Sequence, residues 1–78
     1  MPNGLFNWTF NDIEKFLKKN NFVYNYSNAS HYYYRGFINK EIRKVCVPYH
    51  GKKALKPKTV KGIILQSGID QKKWTGKN

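Results

Sequence analysis

Residues 22–48, FVYNYSNASHYYYRGFINKEIRKVCVP, decide the fold of this chain. They contain three short runs rich in aromatic and β-branched residues, over 22–26, 31–37 and 42–48, and such runs are typical of β-strands. The connections between the runs are short and polar. Strands joined in this way run antiparallel, so the segment predicts a three-stranded meander.

An amphipathic helix is predicted on each side of the meander. The first follows Thr9, which can cap it with Asp12 in its first turn, and it ends at Asn20 and Asn21. Its apolar residues recur at helical spacing: Phe10, Ile13, Phe16 and Leu17. The second begins at Pro57, ends at Gly68 and turns three apolar residues to the core: Val60, Ile63 and Ile64. One more turn is expected over 70–74.

The order α-β-β-β-α predicts an α+β fold like that of a double-stranded-RNA-binding domain. Two helices would cover one face of a three-stranded antiparallel sheet, and the other face would remain open. The chain is expected to form one domain over 1–78, with its core over about 9–70. Period-two alternation places Phe22, Tyr24 and Tyr26 together on one face of the first strand.

The charge of the chain indicates a polyanionic partner. Its 78 residues carry 15 Lys and Arg against 4 Asp and Glu, a formal net charge of +11. Such an excess attracts nucleic acid, an anionic membrane or an acidic protein, and nucleic acid or an acidic protein is favoured here.

Cysteine content and hydropathy limit the class of protein. The single cysteine, Cys46, excludes a disulfide framework and is predicted to be a small core residue. The N-terminus lacks the basic start and apolar run of a signal peptide. The longest apolar stretch, 63–65, is far too short to cross a membrane. We therefore expect a cytoplasmic protein with no membrane partner.

His31, at the start of the second strand, is the candidate catalytic residue. Alternation puts His31, Tyr33 and Arg35 on one face of that strand, opposite Tyr32 and Tyr34. If the latter two pack beneath the helices, an imidazole stands beside a guanidinium on an open aromatic face, which suits an RNA backbone. A neutral imidazole can take a proton from a 2′-hydroxyl. The alternative is a surface or packing histidine.

A basic cluster follows the third strand. In a double-stranded-RNA-binding domain this region contacts phosphates, although a run of charges is also typical of a solvated surface. His50 lies in the same loop and is either a second proton carrier or, as we favour, a loop residue that caps a backbone group or titrates in solvent. The lysines of the cluster are Lys52, Lys53, Lys56 and Lys58.

No metal site and no cofactor are predicted. The four carboxylates are scattered and the two histidines lack ligand spacing. Cleavage of RNA by its own 2′-hydroxyl requires a base for the 2′ proton, cations for the crowded phosphorane and a proton for the leaving 5′-oxygen.

Several motifs, in this order and spacing, resemble the HicA family of bacterial toxins. They are Ala-Ser-His over 29–31, Val-Cys-Val-Pro-Tyr-His over 45–50, and the closing segments 55–60 and 63–69. The resemblance covers about residues 9 to 70.

The resemblance implies an mRNA interferase of a type II toxin–antitoxin system, which cleaves RNA without a metal and is neutralised by a HicB antitoxin. The family's catalytic His matches His31, and its preceding Ser matches Ser30. Ala29 replaces the usual Gly, which matters only where the backbone requires positive φ. Tyr32 stands where many members carry a second His, and Arg35 falls where the family often has a basic residue.

The favoured function is thus an RNA endonuclease with His31 as general base. RNA-binding or supporting roles are expected for Ser30, Tyr33, Arg35, His50 and the four lysines of the basic cluster. The antitoxin is expected to cover the face bearing His31, with Tyr33 and Tyr49 as aromatic anchors. A non-catalytic RNA-binding module is the main alternative. A DNA-binding protein is less favoured, because no helix is predicted to enter a groove.

Overall fold

The secondary-structure elements follow the predicted order. The computed structural model describes residues 4–76. Its elements are α1 (Phe10–Lys19), β1 (Phe22–Asn28), β2 (His31–Ile38), β3 (Glu41–Pro48), α2 (Pro57–Ser67) and α3 (Gln71–Thr75). The strands form one antiparallel sheet in the order β1-β2-β3. The predicted α+β fold is therefore confirmed, and the further turn expected over 70–74 is the short helix α3.

A capping box fixes the start of α1, as the sequence predicts. The Asp12 backbone N–H donates to the Thr9 hydroxyl at 3.2 Å, and the Thr9 backbone N–H donates to the Asp12 carboxylate at 3.0 Å. Asn20 is the C-cap, and the next residue, Asn21, has a φ of 69°. Because asparagine tolerates the left-handed region, the helix ends there at little cost.

Two tight turns fix the register of the meander. Asn39 and Lys40 both have positive φ, the pattern of the type I′ turn that suits a two-residue hairpin. The β1–β2 turn has Ala29 and Ser30 at its centre, and only Ala29 has a positive φ, of 55°. This is the pattern of a type II′ turn, which favours glycine at its first central position. The backbone therefore does require positive φ at Ala29.

A β-bulge in β1 overturns one prediction. The pairing register between β1 and β2 shifts between Tyr24 and Tyr26, so that Tyr24 pairs with Tyr34 and Tyr26 pairs with Tyr33. Since Tyr34 and Tyr33 point to opposite faces, Tyr26 does not share a face with Phe22 and Tyr24. The extra residue of the bulge moves it to the open face.

The core lies between the helices and one face of the sheet. Trp74 of α3 stacks on Phe16 of α1, with ring centroids 3.9 Å apart, and the Phe22 ring lies over Gly36, where a Cβ would meet it at 2.7 Å. The core residues are Trp8, Phe10, Ile13, Phe16, Leu17, Phe22, Tyr34, Val45, Val47, Leu55, Val60, Ile63, Ile64, Ile69 and Trp74. No helix within residues 4–76 is long and apolar enough to cross a membrane.

Candidate functional site

The side chains of β2 are divided between the core and the open face. Tyr34 is fully buried and pairs with the equally buried Val45 of β3. Alternation along the strand then turns His31, Tyr33 and Arg35 away from the helices. The structure therefore brings these three predicted residues together on the open face of the sheet.

His31 lies at one end of this face and is exposed. It is the first residue of β2, opposite Pro48 of β3 and Asn28 of β1. Its position at the end of the middle strand, next to a short turn, leaves the imidazole exposed to solvent.

Tyr33 lies between two neighbours on the same face. Its ring stacks on that of Tyr26, with centroids 4.5 Å apart and planes 11° apart. The thiol of Cys46, its partner in β3, raises the pKa of the Tyr33 phenol above the ordinary value of 10. Cys46 is thus half-buried on the open face, and its predicted place in the core is wrong, because the core side of β3 is occupied by Val45 and Val47.

Two cations face each other further along the sheet. Arg35 pairs directly with Lys44 of β3, and both are exposed. Like charges in directly opposed positions destabilise a sheet. This pair therefore does not stabilise the fold, and it makes this part of the open face strongly positive.

The carboxylates of the chain have partners elsewhere. Asp12 belongs to the capping box of α1, and Asp70 accepts the Lys72 backbone N–H at the start of α3. Glu14 accepts the Tyr34 hydroxyl and lies 3.7 Å from Lys18, and Glu41 lies 3.3 Å from Arg43. None of these four carboxylates therefore pairs with Arg35 or Lys44. Within residues 4–76, no three His, Cys, Asp or Glu side chains lie close enough together to hold a metal ion.

The basic loop forms a second surface. His50, Lys53 and Lys56 line an open depression of about 350 Å³ together with Ala54 and Thr59. Lys52 and Lys58 are exposed nearby in the chain but do not line it.

A backbone hydrogen bond connects the basic loop to Ser30, the residue before β2. The Tyr49 backbone N–H donates to the Ser30 carbonyl at 2.7 Å. The Tyr49 ring packs against Phe10 and Tyr32, on the side of the sheet that faces the helices. Of the two predicted aromatic anchors, only Tyr33 therefore lies on the face that bears His31.

An apolar patch occupies the other end of the open face. Val23, Phe37 and Ile42 are 60–63% exposed and surround, with Arg35 and Gly36, a depression of about 250 Å³. We refer to Val23, Phe37 and Ile42 as the apolar patch. Exposed hydrophobic groups that adjoin one another on a small domain mark an interaction surface.

Sequence reasoning missed three components of this face. Period-two alternation groups Tyr26 with Phe22 and Tyr24, which is wrong, because a bulge depends on strand pairing and has no local signal. Lys44 could have been found, since the two-residue turn at Asn39 and Lys40 sets the register that places it opposite Arg35. The apolar patch joins one residue from each strand and emerges only from the register of the sheet.

The chain matches one family model over most of its length. The model, described as the HicA toxin of bacterial toxin-antitoxin systems, matches residues 10–69, from the start of α1 to just beyond α2. No curated protein and no solved structure matches the chain.

Proposed function

Since the chain belongs to the HicA family of bacterial toxins, we propose that it acts by cleaving RNA, with His31 as the general base. The toxin belongs to a toxin–antitoxin system. The observation that carries the proposal is the exposed imidazole of His31 on the same face as Arg35 and Lys44. This face offers a base for the 2′ proton and cations for the phosphate, two of the three requirements for the cleavage of RNA by its own 2′-hydroxyl.

The reaction proceeds by transfer of the phosphate ester within one nucleotide. His31 takes the proton of the 2′-hydroxyl, and the 2′-oxygen attacks the adjacent phosphorus. The bond from phosphorus to the 5′-oxygen breaks, and that oxygen takes a proton from water. The hydroxide left behind takes the proton from His31, which restores the neutral imidazole. The products are a 2′,3′-cyclic phosphate and a 5′-hydroxyl, and DNA is not cleaved because it has no 2′-hydroxyl.

Cations of two surfaces bind the RNA backbone. Arg35 offers a planar, permanently charged group to a phosphate of the backbone. The basic cluster formed by Lys52, Lys53, Lys56 and Lys58 binds phosphates further along the strand. Ser30, which precedes His31, and Tyr33, two residues after it, have supporting roles beside the base. His50 belongs to the surface formed by the basic loop. An mRNA substrate implies that the protein acts in the cytoplasm.

The partner that silences the toxin is a HicB-like antitoxin. The net charge of +11 favours fast association with an acidic protein. The apolar patch lies beside Arg35 on the face that bears His31, so an antitoxin bound there would bury exposed hydrophobic surface and block RNA at once. Tyr33 remains an aromatic contact on this face, whereas the Tyr49 ring is turned to the helix side.

Cleavage of a single-stranded RNA in excess EDTA tests the proposal. We expect a product with a 5′-hydroxyl, and no reaction with DNA or with RNA blocked by 2′-O-methyl groups. His31→Ala should lower the rate by at least about 100-fold, the usual contribution of a general base, and it should abolish growth arrest on expression. Circular dichroism and urea unfolding of the purified variant establish that it remains folded.

Four results would contradict the assignment. Loss of cleavage on chelation, or products with a 5′-phosphate, would indicate a metal-dependent hydrolase. A folded His31→Ala protein as active as the parent would exclude His31 as the base. Binding of RNA without any cleavage would favour the non-catalytic RNA-binding module.

A further inference from the structure

Tyr26 and Tyr33 form a stack of two aromatic rings on the open face. Their centroids are 4.5 Å apart and their planes are inclined by only 11°. They come from adjacent strands and are directly paired in the sheet. The two parallel rings therefore form one aromatic unit, which we call the tyrosine stack.

The tyrosine stack adjoins His31. Tyr33 follows His31 by two residues on the same face of β2, a separation of about 7 Å along an extended strand. Asn28, the β1 partner of His31, follows Tyr26 by two residues. A nucleotide whose ribose lies at His31 can therefore place a neighbouring base at the tyrosine stack.

One side of the stack is open. β1 is an edge strand, so no strand lies beyond Tyr26. The Tyr26 side chain is 51% exposed and is absent from the hydrophobic core. Tyr33 covers one side of its ring, which leaves the outer side free for a further aromatic group.

The bulge in β1 is what creates this arrangement. Without it, Tyr26 would lie on the same face as Tyr24, beneath the helices. Bulges commonly redirect a side chain next to a functional site. The irregularity thus moves a large aromatic ring from the core side to the face that carries the candidate base.

We propose that the tyrosine stack binds an unpaired RNA base, which stacks on the outer side of the Tyr26 ring while His31 acts on the neighbouring nucleotide. The inference rests on the proposed function. Every base has a π-face, so the stack selects unpaired bases with little preference for sequence. In a double helix both faces of a base are covered by its neighbours. The favoured substrate is therefore a single-stranded segment of RNA.

Fluorescence of 2-aminopurine measures this stacking directly. The full-length chain carrying His31→Ala is titrated with a short single-stranded RNA that has 2-aminopurine at one position, moved along the strand in successive oligonucleotides. We expect strong quenching at one position. Tyr26→Leu should remove the quenching and weaken binding by about tenfold. Tyr26→Phe and Tyr26→Trp keep an aromatic ring and should preserve the quenching and the RNA affinity. These variants distinguish a loss of stacking from a loss of sheet stability.

Tyr24 provides a matched control. It lies two residues away in β1, is 48% exposed and faces the opposite side. Tyr24→Leu should leave quenching and affinity within about twofold of the parent. With an abasic nucleotide at the quenched position there is no base to stack. The Tyr26→Leu variant and its parent should then bind the RNA with equal affinity.

The outcomes separate this inference from the proposed function. Unchanged quenching and affinity in Tyr26→Leu, or an equal loss in Tyr24→Leu, would overturn the tyrosine stack as a base site even if the chain cleaves RNA. Absence of cleavage with His31 intact would defeat the nuclease and leave the binding result standing. If Tyr26→Leu weakens antitoxin binding alone, the stack is a protein contact and the inference is wrong.

Discussion

The indole rings of Trp8 and Trp74 meet edge to face, with centroids 5.5 Å apart. Trp8 precedes and Trp74 follows residues 10–69, the part of the chain that matches the family, and both are almost fully buried. Trp74 also stacks on Phe16 of α1. The short helix α3 therefore closes the core of this domain from outside the family match.

Trp74→Ala should lower the free energy of unfolding by about 3–5 kcal/mol, since it removes a large buried ring and leaves a cavity. That is a large part of the stability of a small domain. Trp74→Phe should lower the free energy of unfolding by a smaller amount, because it keeps an aromatic ring packed on Phe16. It also removes an indole N–H that has no hydrogen-bond partner among residues 4–76. Urea unfolding measures both. The exposed neighbour Lys73 serves as control, and a Trp74→Ala protein no weaker than Lys73→Ala would mean that α3 does not stabilise the core.

Ala29→Gly should stabilise the protein by about 0.5–1 kcal/mol. Ala29 has a φ of 55°, and an L-residue in the left-handed region costs about 1–2 kcal/mol, of which the greater freedom of glycine in the unfolded chain offsets part. Ala54 is the matched control: its φ is not positive and it pairs with Thr9, so Ala54→Gly should destabilise. If thermal melting temperatures change in the same direction for both variants, the strain at Ala29 is refuted.

Local chemistry explains which parts of this structure the sequence predicts. The capping box of α1 needs only Thr9 and Asp12, and the alternation of β2 needs only the period of a strand. The position of Tyr26 depends instead on how β1 pairs with β2, and the role of Trp74 depends on the packing of α3 against α1. The bulged pairing of β1 with β2 and the packing of α3 depend on residues that are distant in the sequence, so no short window of sequence contains them.

Alkaline pH should unfold the protein through Tyr34. Burial raises the pKa of its phenol far above the ordinary value of 10, and the hydrogen bond to Glu14 raises it further. Between the unfolded and folded pKa values the native state holds a proton that the unfolded chain releases. The stabilisation is therefore complete below pH 10 and falls as pH rises.

Tyr34→Phe tests this dependence. The variant should be less stable by about 1 kcal/mol at pH 7, because Glu14 loses a donor. Between pH 10 and pH 11 the parent should lose about 1 kcal/mol more than the variant. Urea unfolding at a series of pH values provides both numbers, and parallel curves for the two proteins would show that Tyr34 does not ionise on unfolding.

Lys44→Gln should change stability and RNA binding in opposite directions. It removes the repulsion between Lys44 and Arg35, which is worth about 0.2–1 kcal/mol to the fold, while RNA affinity falls and depends less steeply on salt. Lys15→Gln makes the same change in net charge on the exposed side of α1, so it should leave RNA affinity nearly unchanged. Filter binding at several salt concentrations distinguishes them. Equal losses from both variants would mean that net charge alone, and not this face, binds RNA.

Phe37→Ser should produce a toxin that its antitoxin no longer neutralises. Phe37 is 63% exposed in the apolar patch, at the opposite end of β2 from His31, so its loss should weaken the antitoxin complex by about tenfold or more and leave RNA cleavage intact. Leu65 of α2 is 69% exposed outside the patch, and Leu65→Ser should remain fully neutralised. Growth on co-expression with the antitoxin, together with calorimetry of the purified pair, measures both effects. If Leu65→Ser escapes and Phe37→Ser does not, the antitoxin binds the helical side and leaves the face of His31 free.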